Sequence, residues 1–388
     1  MRGSFRNAVV LAVACVAVSC TSSDEQVSTS APPTTNDVAT TIATTETSTI
    51  AASTTTSTTL AEPKTIFDGG DWETAEPPAS FDVSYIDSIV SNMLDVGGQR
   101  ALRSVVVVHD DKIVYERYHP TDDDTSIMAS FSVAKSFVST LVGLLVEDGL
   151  LALDQPAPVE LWSQPDDPRS AITIENLLHM SSGLAWNETY QPQGGPSDVI
   201  SILGAYDSLE YAASKPLEAP PGSVWKYSSG TTSILSGIIS DVLGGPDAVD
   251  EYLWSRLLDP IGITSTVLQR EPSGKWIGLM GADSTTRDFA RFGLLFLHDG
   301  YWGDVRVLPD GWVDYARTPA PSTDDYGAQW WIEDGEMVAR GLWGQTVHVS
   351  PSRDLVIAVN RDTGVGSIQN AQTELIASIL EQFEPNAN

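Results

Sequence analysis

The apolar positions along the chain fall into blocks of two different periods. From Val83 to Leu94 they recur at helical spacing (Tyr85, Ile86, Ile89, Val90, Met93, Leu94), and the pattern stops at Gly97-Gly98. Ser104-Val105-Val106-Val107-Val108, then Asp110-Asp111, then Ile113-Val114-Tyr115 predicts a β-hairpin. After Ser132 the apolar residues Val133, Ala134, Phe137, Val138, Leu141, Val142, Leu144, Leu145 and Val146 fill more than one helical stripe, which predicts a helix buried nearly all round. From Asp154 to about Met280 the pattern is helical and rich in loops and prolines, with helices clearest at 172–180 and 233–243. A helix over 286–298 follows, then strands at 328–332, 337–340, 345–349 and 355–360, and an amphipathic helix over 368–383. Strands at both sequence ends with helices between them predict an α/β fold. Its mainly antiparallel sheet is built from both ends and flanked by helices, with a helical region inserted at about 154–280.

Composition changes the picture at the N-terminus. Arg2 and Arg6 precede an apolar run, Ala8 to Val18, too short to span a bilayer, and the run ends Ala17-Val18-Ser19-Cys20. Residues 1–20 therefore resemble a bacterial lipoprotein signal, with cleavage before Cys20 and a lipid on its sulfur; ordinary signal cleavage nearby is the alternative. The only cysteines are Cys15 and Cys20, so a mature chain forms no internal disulfide. Residues 21–65 are dominated by Thr, Ser and Ala and bury too little surface to fold, so they are expected to be a disordered tether. The expected location is the outer face of the cell membrane, through a lipid anchor on Cys20, or secretion. The folded domain is expected over 66–388.

The net charge of −31 comes from 52 acids against 21 bases. It argues against nucleic acid as a partner and against anionic substrates, and otherwise describes a solvated acidic surface. The five histidines show neither His-x-x-x-His nor His-x-His spacing, so no metal site is suggested, and no Gly-x-Ser-x-Gly elbow is present.

The candidate chemistry lies at the start of the buried helix. Ser132-Val133-Ala134-Lys135 puts a hydroxyl near unpaired backbone N–H groups, with an amine on the same face one turn later. Burial disfavours the charged form of such a lysine, and a neutral amine beside a hydroxyl is what a nucleophilic serine without histidine requires. A second copy, Ser223-Val224-Trp225-Lys226, follows Pro220-Pro221-Gly222 and reads as a turn. Tyr227 is a candidate proton-transfer group, and the backbone of Gln345 is a candidate oxyanion donor together with that of Ser132.

The ordered set Ser-x-x-Lys at 132–135, Leu-Leu-His-Met-Ser-Ser-Gly-Leu at 177–184, Pro-Gly-x-x-Trp-x-Tyr-Ser-Ser at 221–229 and Gly-x-Trp-Gly-Gln at 341–345 resembles the serine β-lactamase and penicillin-recognising superfamily. It is most similar to the class C-like branch with esterases, D-aminopeptidases and 6-aminohexanoate-dimer hydrolases. The resemblance covers about residues 80–383 and implies roles by position. Ser132 is the acylated nucleophile, Lys135 its partner, Tyr227 the tyrosine of the Tyr-x-Asn motif, and Gln345 the residue whose N–H joins the oxyanion hole. Tyr190 resembles a second active-site tyrosine that donates to substrate. Gly281 to Asp288 also resembles a family stretch, with a structural role.

Two positions depart from the family pattern. Ser229 stands where the motif has asparagine, and Leu342-Trp343-Gly344 replaces Lys-Thr-Gly. Leu342 cannot pair with a substrate carboxylate. The expected substrate is therefore a neutral small-molecule ester or amide in an aromatic cleft. Candidate contacts are Trp186, Tyr190, Trp343 and Gly344, with Trp330 and Trp331 as further lining. No cofactor is implied. A D,D-peptidase or β-lactamase, and a non-catalytic surface protein on the same fold, are the alternatives.

Overall fold

The run Val105-Val106-Val107-Val108 has no polar interruption, which suits a strand covered on both faces. The computed structural model describes residues 72–386 apart from 165, 191–195 and 364–365. The expected signal over 1–20 with Cys20, and the expected tether over 21–65, lie outside the described residues. Helix α1 (Val83–Leu94) leads into the hairpin β1 (Leu102–His109) and β2 (Lys112–Tyr118). Helix α2 (Ala134–Glu147), α3 (Ser229–Leu243) and α4 (Thr286–Leu297) follow. The chain ends with β3 (Trp331–Glu333), β4 (Glu336–Arg340), β5 (Thr346–Ser350), β6 (Leu355–Arg361) and α5 (Gly366–Leu380). Short helices at Ile174–Leu178, Asp198–Ile202, Ser208–Ala213 and Pro246–Leu253 fill the expected helical insertion.

The six strands form one antiparallel sheet in the order β2-β1-β6-β5-β4-β3. Two neighbouring inner strands, β1 and β6, come from opposite ends of the domain: Val105 pairs with Val359 and Val108 with Val356. Alternate side chains face two cores. Val106, Val108, Val347, Val349, Val356 and Ala358 join the core that holds α2 and α4. Val105, Val107, Leu355, Ile357 and Val359 meet α1 and the Leu375 and Ile379 face of α5.

Helix α2 is buried at every residue from Ala134 to Leu145, as its all-round apolar pattern predicts. Phe137 stacks on Phe292 of α4 at 3.9 Å and 12°. Removing that ring by Phe137→Ala is expected to cost about 3–5 kcal/mol, as for other buried phenylalanines, read as a lowered urea midpoint at unchanged slope.

The helices expected at 172–180 and 368–383 are Ile174–Leu178 and Gly366–Leu380, and two further boundaries differ for a visible local reason. The strand expected at 328–332 begins at Trp331, because Gln329 has a left-handed backbone (φ 64°) and its side chain bonds the carbonyls of Leu177 and Leu178 and the hydroxyl of Thr232. Helix α3 begins at Ser229 rather than 233, because the Ser228 hydroxyl accepts from the N–H of Thr231 and caps it. The second Ser-x-x-Lys copy is a turn: Ser223 bonds the Pro220 carbonyl, and Lys226 pairs with Glu218 at the surface.

Candidate active site

Ser132 lies in a single 3₁₀ turn, Phe131–Val133, immediately before α2. The turn is pinned from outside. The Ser130 N–H donates to Asp283 Oδ1 (2.9 Å), and its hydroxyl donates to the Met280 carbonyl (2.7 Å) while accepting from the Ala282 N–H (2.9 Å). Phe131 has φ 42°, a left-handed conformation that a bulky side chain rarely adopts. Its ring meets the edge of Trp343, itself at φ 64°, at 5.1 Å. Two strained residues thus brace each other beside Ser132.

Lys135 is 1% exposed. Its Nζ lies 3.0 Å from Ser132 Oγ, 3.1 Å from Ser229 Oγ and 2.9 Å from the Leu279 carbonyl. Burial pushes the amine down to about 8, and the nearby Glu188 carboxylate opposes that shift. Tyr227 lies with its ring 5.4 Å from Lys135 Nζ, stacked on Trp331 (5.5 Å) and edge-on to Tyr326 (5.9 Å). Burial pushes its phenol well above the usual tyrosine range; a hydrogen bond with Ser132 eases that shift, and Glu188 adds to it. Of the two groups near Ser132, the amine is therefore the one that gives up its proton more readily, at about 8. The phenol keeps its proton.

The segment 341–345 closes the other side. A Cβ on Gly341 would come within 2.7 Å of the Ser130 carbonyl, so the close approach requires glycine. The Gln345 side chain is fully used by β6: Nε2 donates to the Arg361 carbonyl (2.6 Å), and Oε1 accepts from Asn360 Nδ2 (2.8 Å) and the Arg361 N–H (3.1 Å). What Gln345 offers the site is main chain. Behind it, Arg361 is 1% exposed, has no carboxylate partner among the described residues, and donates to Gln372 Oε1 (2.7 Å). Gln372 in turn donates to the Gly344 carbonyl (2.8 Å). Burial pushes Arg361 down to about 10.

The structure sorts the aromatic candidates by position. Tyr190 is 41% exposed, and its hydroxyl donates to Glu188 Oε1 (3.1 Å). Trp343 is 40% exposed at the rim, and Trp331 is half-buried against Tyr227. Trp330 is fully buried between Phe292 and Phe296, so it belongs to the core and lines no cleft. Trp186 is 5% exposed with its ring against Gly230, and its Nε1–H bonds Glu188. It supports the site from below.

Glu188 was not singled out by the sequence. It accepts from Trp186 Nε1, the Ser229 N–H (2.9 Å), Ser229 Oγ (2.6 Å) and Tyr190 (3.1 Å). Its only local signal is an acid between two aromatics in Trp186-Asn187-Glu188-Thr189-Tyr190. Its partner Ser229 is 41 residues away.

A six-stranded antiparallel sheet flanked by helices, with serine and lysine at the start of a buried helix, defines the β-lactamase and transpeptidase-like class of serine hydrolases. The Beta-lactamase family model matches residues 86–378, and the chain belongs to that family. It is similar to the 6-aminohexanoate-dimer hydrolase of Paenarthrobacter ureafaciens, 25% identical over 281 residues (65% of this chain, 70% of the relative). It is also similar to the esterase EstB of Burkholderia gladioli, 31% identical over 167 residues (36% of this chain, 41% of the relative). A solved structure from Bacillus anthracis, assigned as a 6-aminohexanoate-dimer hydrolase, aligns with a TM-score of 0.68 at 21% identity, covering 83% of this chain and 90% of its own. The protein is a hydrolase of the β-lactamase fold, with esterase and amidase relatives.

Proposed function

We propose that the protein hydrolyses a neutral ester or linear amide through an acyl-enzyme on Ser132. The observation that carries this reading is the 3.0 Å contact between Ser132 Oγ and a buried amine held at about 8. Neutral Lys135 takes the Ser132 proton as Oγ bonds to the carbonyl carbon. The carbonyl oxygen gains the negative charge, and the backbone N–H groups of Ser132 and Gln345 receive it. The carbon–leaving-group bond then breaks. Tyr227 gives its proton to the departing oxygen or nitrogen and regains one from the Lys135 ammonium. Water attacks the acyl-enzyme by the reverse route and releases the acid.

Leu342 and Trp343 favour a neutral acyl group, because no cation stands at the Lys-Thr-Gly position to hold a carboxylate. The exposed Tyr190 and Trp343 and the half-buried Trp331 offer the aromatic surface on which such a group would rest. A fluorophosphonate probe should label the protein, with the adduct mapped to Ser132 by mass spectrometry. Labelling elsewhere, or none in a folded protein, overturns the reading. Turnover of p-nitrophenyl esters and linear amides above that of nitrocefin is expected; the opposite order favours a β-lactam or cell-wall substrate.

A further inference from the structure

We infer that Glu188 is a positioning residue that sets the direction of the hydrogen bonds around Lys135, and so aims the amine lone pair at Ser132. The inference rests on the proposed role of Lys135 as base. A neutral amine has two N–H bonds and one lone pair. Three groups surround Nζ: Ser132 Oγ, Ser229 Oγ and the Leu279 carbonyl. The carbonyl only accepts, so it takes one N–H. Ser229 is a hydroxyl and is able either to donate or to accept. Its single proton, however, is given to Glu188 Oε1 at 2.6 Å. Ser229 therefore offers Lys135 only a lone pair and takes the second N–H. The amine lone pair is left facing Ser132, the one neighbour with a proton to give. When Lys135 is charged, its three N–H bonds find the same three acceptors. One shell thus serves both states without rearrangement.

Glu188 is itself fixed for this task. The Ser229 N–H at the first turn of α3 and the indole of Trp186 hold Oε2, while Tyr190 and Ser229 hold Oε1. An amide at this position has a donor of its own and would let Ser229 turn its proton toward Nζ, in competition with Ser132. The other ionisable groups of this network are Tyr227 beside the amine and Tyr190 on Glu188, with Tyr326 against Tyr227 and Asp283 bound to Ser130. Glu188 is the carboxylate nearest in this hydrogen-bond chain, one hydroxyl away.

The test uses the rate of p-nitrophenyl acetate hydrolysis from pH 5.5 to 10, with fluorophosphonate labelling of the wild type alongside. Glu188→Gln should lower the high-pH plateau of kcat at least tenfold with KM within about twofold, since orientation rather than binding is lost. Its acid limb should move to lower pH, because the charge that favours the ammonium is gone. Glu188→Asp should return the limb toward its wild-type position. Ser229→Ala should lower the plateau similarly, and Glu188→Gln added to it should cost little more. If Glu188→Gln fails to fold, the Ser229→Ala plateau and the Glu188→Asp limb decide. A wild-type plateau and limb in folded Glu188→Gln overturn this inference while labelled Ser132 keeps the hydrolase reading. An unlabelled wild type overturns both.

Discussion

Lys135→Met is expected to lower kcat for an activated ester by about 10³–10⁴-fold, the upper range for loss of a general base that also activates the nucleophile. Methionine nearly matches the aliphatic length of lysine and suits a site that is 1% exposed, so the fold should survive. The wild-type rate should rise with pH about tenfold per unit up to about 8, where the amine becomes neutral, and then level off. The variant should lose that limb.

Stability should respond in a linked way. The native amine sits at about 8 against 10.5 for an unburied lysine. Below about 8 both native and unfolded chains hold the proton, and the cost of burying the charge is fully present. Between about 8 and 10.5 the unfolded chain binds a proton that the native chain does not, so wild-type stability rises with pH, by a total on the order of 3 kcal/mol. Lys135→Met should remove this contribution to the rise. Urea titrations at pH 7.5 and pH 10 measure the difference. Retention of the activity limb in the variant would remove Lys135 from the mechanism.

Gly344→Ala should be nearly as damaging, for a backbone reason. Gly344 has φ 102°, where a side chain is strained, and an added Cβ would press into Gln372 Oε1 and lie 2.7 Å from Arg361 Nη1. Neither neighbour yields freely. Gln372 is bonded to the Gly344 carbonyl and Thr346, and Arg361 is bonded to Gln372 and the Thr363 carbonyl. The relief available is to shift the 342–345 backbone, which carries the proposed oxyanion donor. Loss of one such donor lowers kcat by about 10²–10³-fold with KM little changed. Fluorophosphonate labelling should slow in proportion. A kcat within twofold of wild type would show that the Gln345 N–H plays no such part.

The inner strands β1 and β6 were legible because they are covered on both faces and read as apolar runs, 105–108 and 355–359, and α2 because it is buried all round. The start of α3 was not legible. Tyr227-Ser228-Ser229-Gly230 has turn-like composition, and the cap that makes it a helix start depends on where the Ser228 hydroxyl points. The last sheet-edge strand was misplaced for a related reason: Gln329 turns the chain to satisfy carbonyls at Leu177 and Leu178, about 150 residues earlier. At the site, Ser132 and Lys135 are three residues apart on one helical turn, so spacing alone pairs them. Glu188 and Ser229 meet only through tertiary folding. Trp186 and Trp330 show the converse. Their type suggests an aromatic cleft, but burial decides, and both are packed below it.

The pairing of β1 with β6 has a consequence for synthesis. Residues 102–109 leave the ribosome about 250 residues before their partner at 355–361. At about 5–20 residues per second the first strand waits roughly 10–50 s with one edge open. That edge carries four consecutive valines, a template for pairing with the wrong chain. The yield of folded protein is therefore expected to depend on how well that valine edge is shielded until residues 355–361 emerge.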